Sequence, residues 1–349
     1  MPLFIPLPIK ASINNVFMNN PIISFCIPTY NRAEVLRKSL ESYVNNAFFD
    51  EHFEIIISDN ASTDNTNEVG EYYASKYDNI KYFKNECNIR DANFPLSMDR
   101  ASGKYLKLMK DNLIILDDGL KYLKNSVLEL LDSKIPVFFS NGALFNSFSK
   151  DGIYCDSFDS FIVHLSYYVT SIFIFGCWKE DWEAINDKLK YSKLQLSQDD
   201  WAYQILERRG NAYIKSGIFC ESIEIGRRSG YNWFKVHVEN YYAILQPYVD
   251  KGVVSKAALS IEKKTYLIGL RPFIALSFYK NYNPDWKFDM SGALKFIWRA
   301  FKGEKFFYLF VFNYPFWIIS RTIHKFVEKI EKIKYEDINA VAVSMDERK

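Results

Sequence analysis

Ile22-Ile23-Ser24-Phe25-Cys26-Ile27-Pro28-Thr29-Tyr30-Asn31-Arg32 and, further on, Glu54-Ile55-Ile56-Ile57-Ser58-Asp59-Asn60-Ala61-Ser62-Thr63-Asp64-Asn65-Thr66 are each an apolar run that stops in a polar, turn-forming cluster. Such runs read as buried parallel strands that deliver loops to one edge of a sheet. Between them, apolar residues fall at Val35, Leu36, Leu40, Tyr43 and Val44, which is helix spacing over 32–46. The unit is strand, helix, strand, with both polar loops at the carboxyl ends of the strands. Ligands bind at that edge in open α/β sheets.

The alternation continues outward. Ser62, Thr63 and Asp64 supply cap chemistry for a helix over 66–76. A short strand over 80–83, a helix over 92–101 and a strand over 105–109 complete a first half, 21–110. A second half, 111–230, holds a helix over 118–131, strands over 137–140 and 171–175, and a helix over 200–209 that Gly210 closes. Residues 1–20 read as an irregular leader. From 231 to 349 the chain turns helical, aromatic and basic.

Composition removes several classes. A net charge of +2 over 349 residues leaves no global field for nucleic acid. Cys26, Cys87, Cys155, Cys177 and Cys220 form no C-x-x-C pair, so reduced thiols are expected rather than a disulfide frame or a zinc site. The first residues lack a basic start followed by an apolar run, so no secretory signal is expected. The wealth of Lys, Asn, Ile, Phe and Tyr suggests a low-GC bacterial gene. His52, His164, His237 and His324 have no metal-binding spacing.

Pro28-Thr29-Tyr30-Asn31-Arg32 and Asp59-Asn60-Ala61-Ser62-Thr63-Asp64, in this order and about one strand-helix-strand apart, resemble the two loops of the family 2 glycosyltransferases. The resemblance covers roughly residues 21–215. It implies the GT-A fold, a Rossmann-like, mostly parallel sheet flanked by helices, and a nucleotide-sugar donor. It places Pro28, Thr29, Tyr30, Arg32, Asp59, Asn60, Asn88, Arg90, Lys110 and Asp111 at the donor. Asp59 would accept hydrogen bonds from the nucleotide base, and charge-assisted bonds of that kind are strong. Taken alone, Asp59 could equally be a turn-forming Asp, and Asp64 reads as a cap or loop brace. Arg90 could fork onto the diphosphate or stand solvated. A nucleotidyltransferase on a similar sheet would open with a Gly-rich loop, and Pro28 to Glu34 has no glycine.

The resemblance also implies a motif of acids after the fourth strand that holds a divalent ion, manganese or magnesium, against the diphosphate. Here Lys110-Asp111-Asn112-Leu113 follows the strand. Only Asp111 keeps an acid; Asn112 and Leu113 replace the others. Three outcomes follow: a weak site of Asp111 and Asn112, a cation such as Lys110 in the ion's place, or a site without turnover. At Gln198-Asp199-Asp200-Trp201 the sequence resembles the family's Glu-Asp-Trp helix start. By that resemblance Asp200, beside Asp199, is the general base that deprotonates the acceptor hydroxyl. The plain alternative is an acidic helix N-terminus. Trp201 could stack on a sugar or lie in the core.

The run from Phe306 to Ile319 is the most apolar in the chain, but Asn313 and Pro315 interrupt it and it is short for a membrane span. Lys287, Lys295, Arg299, Lys302, Lys305, Arg321, Lys325, Lys329, Lys332 and Lys334 flank it, against Asp289, Glu304, Glu328 and Glu331. Basic residues with Trp and Phe on amphipathic helices describe a surface-lying membrane contact. A helical cap on the catalytic domain or an oligomer interface is the alternative. The expectation is a glycosyltransferase of bacterial surface-polysaccharide or lipopolysaccharide assembly, inverting, with a lipid-linked saccharide acceptor at the cytoplasmic membrane face. Its rival is a non-catalytic nucleotide-binding or scaffold relative.

Overall fold

The computed structural model describes residues 21–144, 151–223, 230–278 and 288–320. The expected leader, 1–20, and the basic residues Lys287, Arg321, Lys325, Lys329, Lys332 and Lys334 lie outside these segments, as does His324. Strands β1 (Ile23–Thr29), β2 (Phe53–Asp59), β3 (Ile80–Lys84) and β4 (Tyr105–Leu108) are parallel in the order β3-β2-β1-β4. Helices α1 (Ala33–Val44), α2 (Thr66–Lys76) and α3 (Asn93–Asp99) connect them. β1 and β2 are covered on both faces, which is why nearly every residue in them is buried.

After β4 the chain forms β5 (Leu113–Ile115), α4 (Gly119–Glu129), β6 (Val137–Phe139), β7 (Gly152–Cys155) and α5 (Phe158–Leu165). β8 (Gly176–Trp178) then closes the main sheet antiparallel to β4. The strand expected over 171–175 is instead a 3-10 turn at Ile172–Ile174, and the ladder begins at Gly176. The N–H of Leu108 bonds the Phe175 carbonyl, while the N–H of Phe175 turns back to Ile172. The N–H bonds of this run are local, and only Ile174 and Phe175 in it are buried. α6 (Lys179–Glu183) and α7 (Ser197–Arg209) follow, and α7 ends on Gly210 at φ 75°, a left-handed cap that glycine adopts without penalty. β9 (Ala212–Lys215) pairs with β6 and β7, and β10 (Cys220–Ser222) pairs with β5.

The remaining described chain is helical: α8 (Tyr241–Asp250), α9 (Lys256–Gly269), α10 (Arg271–Phe278), α11 (Ala293–Phe301) and a helix α12 over 305–320. One hydrophobic cluster runs from Cys26 in β1 through Trp201 in α7 to Tyr266, Phe301 and Phe307. The core therefore crosses the expected boundary near residue 230 without a break.

Two charged side chains interrupt the buried strands. Lys107, fully buried in β4, donates to the Phe173 carbonyl and, at 3.3 Å, to that of Phe175, and its ammonium faces the rings of Phe139 and Phe219. Burial pulls its pKa down to about 7. Glu54 in β2 is 2% exposed. It accepts from Ser24 Oγ (2.5 Å), the Ser102 N–H and O–H (both 2.8 Å) and Lys81 (2.5 Å). Gly103 completes the corner, since a Cβ there would stand 2.5 Å from Ser24 Oγ and 2.8 Å from its backbone nitrogen.

Desolvation raises the Glu54 pKa, but the bonds from Lys81, Ser102 and Ser24 outweigh it and leave the value below the usual glutamate range. A lowered folded-state pKa adds stability above the ordinary range that is lost as pH falls through the folded value. Glu54→Gln should therefore cost about 2 kcal/mol at neutral pH, with the gap to wild type closing in acid. Urea midpoints at pH 7 and at pH 3 to 4 check this; a gap independent of pH would contradict it.

Candidate functional site

The two polar loops are tied into one surface. Asn31, at φ 52°, accepts the Thr63 N–H at 2.7 Å, and its own N–H donates to Ser62 Oγ at 2.8 Å. Asp64 Oδ2 accepts the Ala33 N–H at 3.2 Å, while Oδ1 takes the Thr66 N–H and O–H. Thr66 Oγ1 in turn accepts the Arg32 N–H at 3.0 Å. Orphan donors at the start of α1 are thus capped from the neighbouring loop, not from α1's own cap residue, which makes no side-chain bond. Burial pushes the Asp64 pKa up and the bonds from Thr66 and Ala33 pull it further down, leaving it below the usual range.

Behind this surface lies a cleft of about 530 Å³ at the carboxyl edge of β1 and β4. Of the residues expected at the donor, Pro28, Thr29, Tyr30, Arg32, Asn60, Asn88, Arg90, Lys110 and Asp111 line it. Asp59 does not. It is fully buried; Oδ1 accepts the Ser62 N–H (2.9 Å) and O–H (2.5 Å), and Oδ2 accepts the Tyr82 hydroxyl at 2.7 Å. The loop spends this carboxylate on its own shape. Asn60, the next residue, reaches the cleft; its amide donates to Asn88 Oδ1 (3.0 Å) and the Arg90 carbonyl (3.2 Å) and accepts the Ile89 N–H (2.8 Å). These bonds hold Arg90 at φ 54° on the rim.

Asp111 is 5% exposed. Thr29 Oγ1 donates to its Oδ2 at 2.9 Å and Arg32 Nη1 to its Oδ1 at 2.8 Å. Burial raises its pKa, against the pull of the Arg32 charge and the Thr29 bond. The Asn112 amide donates to the Ile223 carbonyl at 3.3 Å, and the Ile223 N–H returns to the Asn112 carbonyl at 2.8 Å. Leu113 is core, 1% exposed, in β5. A magnesium or manganese ion needs near-octahedral oxygens with one or two carboxylates. These positions offer one carboxylate, and both of its oxygens are already taken by Thr29 and Arg32, so as arranged they do not fit such an ion. Among the described residues, the grouped acids with ligand spacing are Asp50, Glu51 and His52, at the opposite, amino end of β2.

A second cavity of about 350 Å³ shares Asp91, Phe94, Lys110 and Ile172 with the first. It extends to Ser197, Gln198 and Trp201 at the start of α7, and to Tyr231, Val236, His237 and Phe288. Asp91 carries a raised pKa, from burial first and against the Arg90 charge. Burial, with the Lys110 charge, lowers His237 to about 4. Neither Asp199 nor Asp200 lines this trough. Asp200 is 2% exposed; Tyr248 donates to Oδ1 at 2.9 Å and Gln204 to Oδ2 at 2.7 Å. Asp199 is fully buried with neither oxygen hydrogen-bonded. Trp201 is 1% exposed, packs against Trp182 and donates to the Lys188 carbonyl at 2.9 Å, yet its side also meets the trough. Tyr231, His237 and Phe288 carried no motif in the sequence; only the fold brings them here.

A parallel α/β sheet whose two carboxyl-edge loops frame a polar cleft is in keeping with a GT-A-type fold. Residues 24–178 match the family model described as Glycosyl transferase family 2. Abequosyltransferase RfbV of Salmonella typhimurium is 39% identical over 119 residues, 34% of each chain. GalNAc(5)-diNAcBac-PP-undecaprenol beta-1,3-glucosyltransferase of Campylobacter jejuni is 34% identical over 105 residues, 30% of this chain and 33% of that one. The matches thus span about a third of these relatives' length. The crystal structure of S. aureus TarS superposes with a TM-score of 0.52 at 14% identity, covering 76% of this chain and 47% of TarS, and shares the fold.

Burial holds the Asp199 pKa well above the usual range, and the Asp200 charge adds to the shift. A raised folded-state pKa means the folded chain keeps a proton that the unfolded chain releases, so stability falls as pH climbs above the ordinary aspartate range. Asp199→Asn removes that dependence. The thermal midpoint of the variant, relative to wild type, should rise steadily from pH 5 to pH 8. A difference constant across this range would show that Asp199 is charged and partnered.

Proposed function

We propose that this chain is a glycosyltransferase that moves one sugar from a nucleotide-sugar donor to a saccharide acceptor in bacterial surface-polysaccharide assembly. One observation carries the reading beyond the family match: the cleft framed by the β1 and β2 loops shares a wall, Asp91, Phe94, Lys110 and Ile172, with the cavity at the start of α7. Donor and acceptor can therefore lie side by side. The nucleotide base takes the Asn60 and Asn88 end, with Asp59 bracing the loop behind it, and the diphosphate lies near Arg32, Arg90 and Lys110. An acceptor hydroxyl enters from the Gln198 and His237 side. In an inverting displacement its oxygen forms the new bond to the anomeric carbon. The bond from that carbon to phosphate breaks, and its electron pair leaves on the nucleoside diphosphate. A base takes the hydroxyl proton.

The acid pair of α7 is the proposed source of that base, with Asp200 the acting member. To serve, Asp200, which does not line the trough, must turn toward it and exchange its bond from Tyr248 or Gln204 for the acceptor hydroxyl. Asp200→Asn should then lower kcat by about 10²-fold or more with little change in KM, measured as release of nucleoside diphosphate in the presence of acceptor. Unchanged turnover would move the base elsewhere. The second reading, a nucleotide-binding relative without turnover, is favoured by the burial of this same acid pair. Nucleotide binding without transfer or donor hydrolysis would establish it.

The acceptor is proposed to be lipid-linked, met at the cytoplasmic membrane surface. No helix among the described residues is long and apolar enough to cross a membrane. α12 packs Phe307 and Phe310 on the core and exposes Leu309, Phe312, Phe316 and Ile319. Leu294 and Trp298 of α11 are exposed as well, with Lys295, Arg299, Lys302 and Lys305 beside these apolar faces. Apolar side chains edged by cations suit an anionic lipid surface. The protein should co-sediment with vesicles containing phosphatidylglycerol and not with phosphatidylcholine alone. Phe312→Glu combined with Trp298→Glu should release most of it, and equal binding by that variant would refute the assignment.

A further inference from the structure

We propose that the donor diphosphate is neutralised in this chain by side-chain cations, Arg32 with Arg90 and Lys110, and that Asp111 is a positioning residue for Arg32 rather than the ligand of a divalent ion. The proposal rests on the donor-site reading above.

Four observations carry it. Asp111 spends both oxygens inside the protein, on Arg32 and on Thr29. An ion placed there would have to evict the guanidinium. Asn112 is turned toward Ile223 and bonded to it through both amide and backbone. Leu113 is sealed in the core, and its carbonyl accepts Ser39 Oγ at 2.7 Å. Lastly, three cations from three different parts of the fold line one cleft: Arg32 before α1, Arg90 in the turn before α3, and Lys110 after β4.

The geometry of Arg32 suits the task. Its guanidinium has five N–H donors, of which the Nη1 contact with Asp111 uses one. Its side chain is 36% exposed while that of Asp111 is 7% exposed. The buried carboxylate holds the near side of the fork and leaves the outer donors toward the cleft. Arginine forks match phosphate oxygens bidentately. Arg90 is held on the opposite rim by the Asn60 and Asn88 bonds to its backbone. Asp91 is the other acid lining the cleft, and it sits beside Arg90. When the anomeric bond breaks, the charge developing on the leaving diphosphate is met by fixed cations, the preorganised form of electrostatic catalysis.

Titration calorimetry with UDP, GDP, CDP and dTDP, each with manganese and with EDTA, tests this. The expected result is a preferred diphosphate whose Kd is the same within about twofold under both conditions. Arg32→Ala should weaken that diphosphate at least tenfold while changing the affinity of the matching nucleoside much less. Arg90→Ala, at an exposed rim position, should act in the same direction and guards against a folding defect in the first variant. Asp111→Asn should weaken diphosphate binding in EDTA, which loss of a metal ligand would not do. Binding that appears only with manganese would overturn the proposal and leave the donor site standing. No binding of any of the four diphosphates in either condition would overturn the donor-site reading itself.

Discussion

The site depends on one constraint: the loops after β1 and β2 must be fixed to each other before either can meet a ligand. The bonds between Asn31 and Ser62 and Thr63, and from Asp64 to the start of α1, accomplish this. Each satisfies a backbone donor that the opposite loop leaves open, so neither loop is complete alone. Asn31 and Ala61 adopt φ of 52° and 62°, a region that costs an L-residue energy. The cross-loop bonds hold that conformation. Asp59 belongs to the same scaffold, since Ser62 and Tyr82 occupy it fully. The residue that meets the cleft is its neighbour Asn60, whose side chain carries the order of the loop onward to Asn88 and Arg90.

Beyond the family domain, the helices from α8 onward are structural partners of the site rather than an appendage. Glu262 of α9 is buried and accepts from Ser166 (2.8 Å), Tyr241 (3.1 Å) and Tyr242 (3.0 Å). Burial raises its pKa to about 7, against these bonds. Tyr248 of α8 reaches Asp200, and Gln198 of α7 donates to the Thr170 carbonyl at 2.9 Å. The start of α7 is therefore gripped from both sides, by the 3-10 turn Ser166–Thr170 that follows α5 and by the carboxyl-terminal helices. Buried polar networks of this kind specify one arrangement of the packed elements only when each member is satisfied. Asp199 is a member that is not, and it lies at the same junction.

Much of this was legible in the sequence because the signals were local. The runs ending at Thr29 and Asp59 gave buried strands, the spacing after Arg32 gave a helix, and the cap role of Asp64 followed from its type and place. Pro28, Thr29, Arg32 and Asn60 of the two loop motifs line one cleft with Asn88, Arg90, Lys110 and Asp111 from other segments. What was not legible depends on where a side chain points. Asp59 and Asn60 are neighbours on a strand end, so they face opposite ways, and no motif says which one faces the ligand. Ser171 to Phe175 has strand composition, but the ladder starts only at Gly176, five residues after Ser171. The cavity wall of Tyr231, His237 and Phe288 is assembled from distant segments that no spacing rule connects.

The substitution pattern at Asp111-Asn112-Leu113 makes physical sense only when fold and chemistry are taken together. Leu113 and Ile115 enter the core on one face of β5, whose pairing with β10 sets the turn before it. Asn112 stabilises that turn through Ile223. An acid at position 113 would be a buried charge next to Ser39 and the core, costly unless an ion compensated it. With leucine there, the core is satisfied without an ion, and Asp111 is left as a single buried carboxylate that needs a cation. Arg32 supplies it from the loop that the Asp64 and Thr66 bonds already hold in place. The side chain that neutralises Asp111 also lines the cleft, so one contact both satisfies the buried acid and fixes a cation at the site.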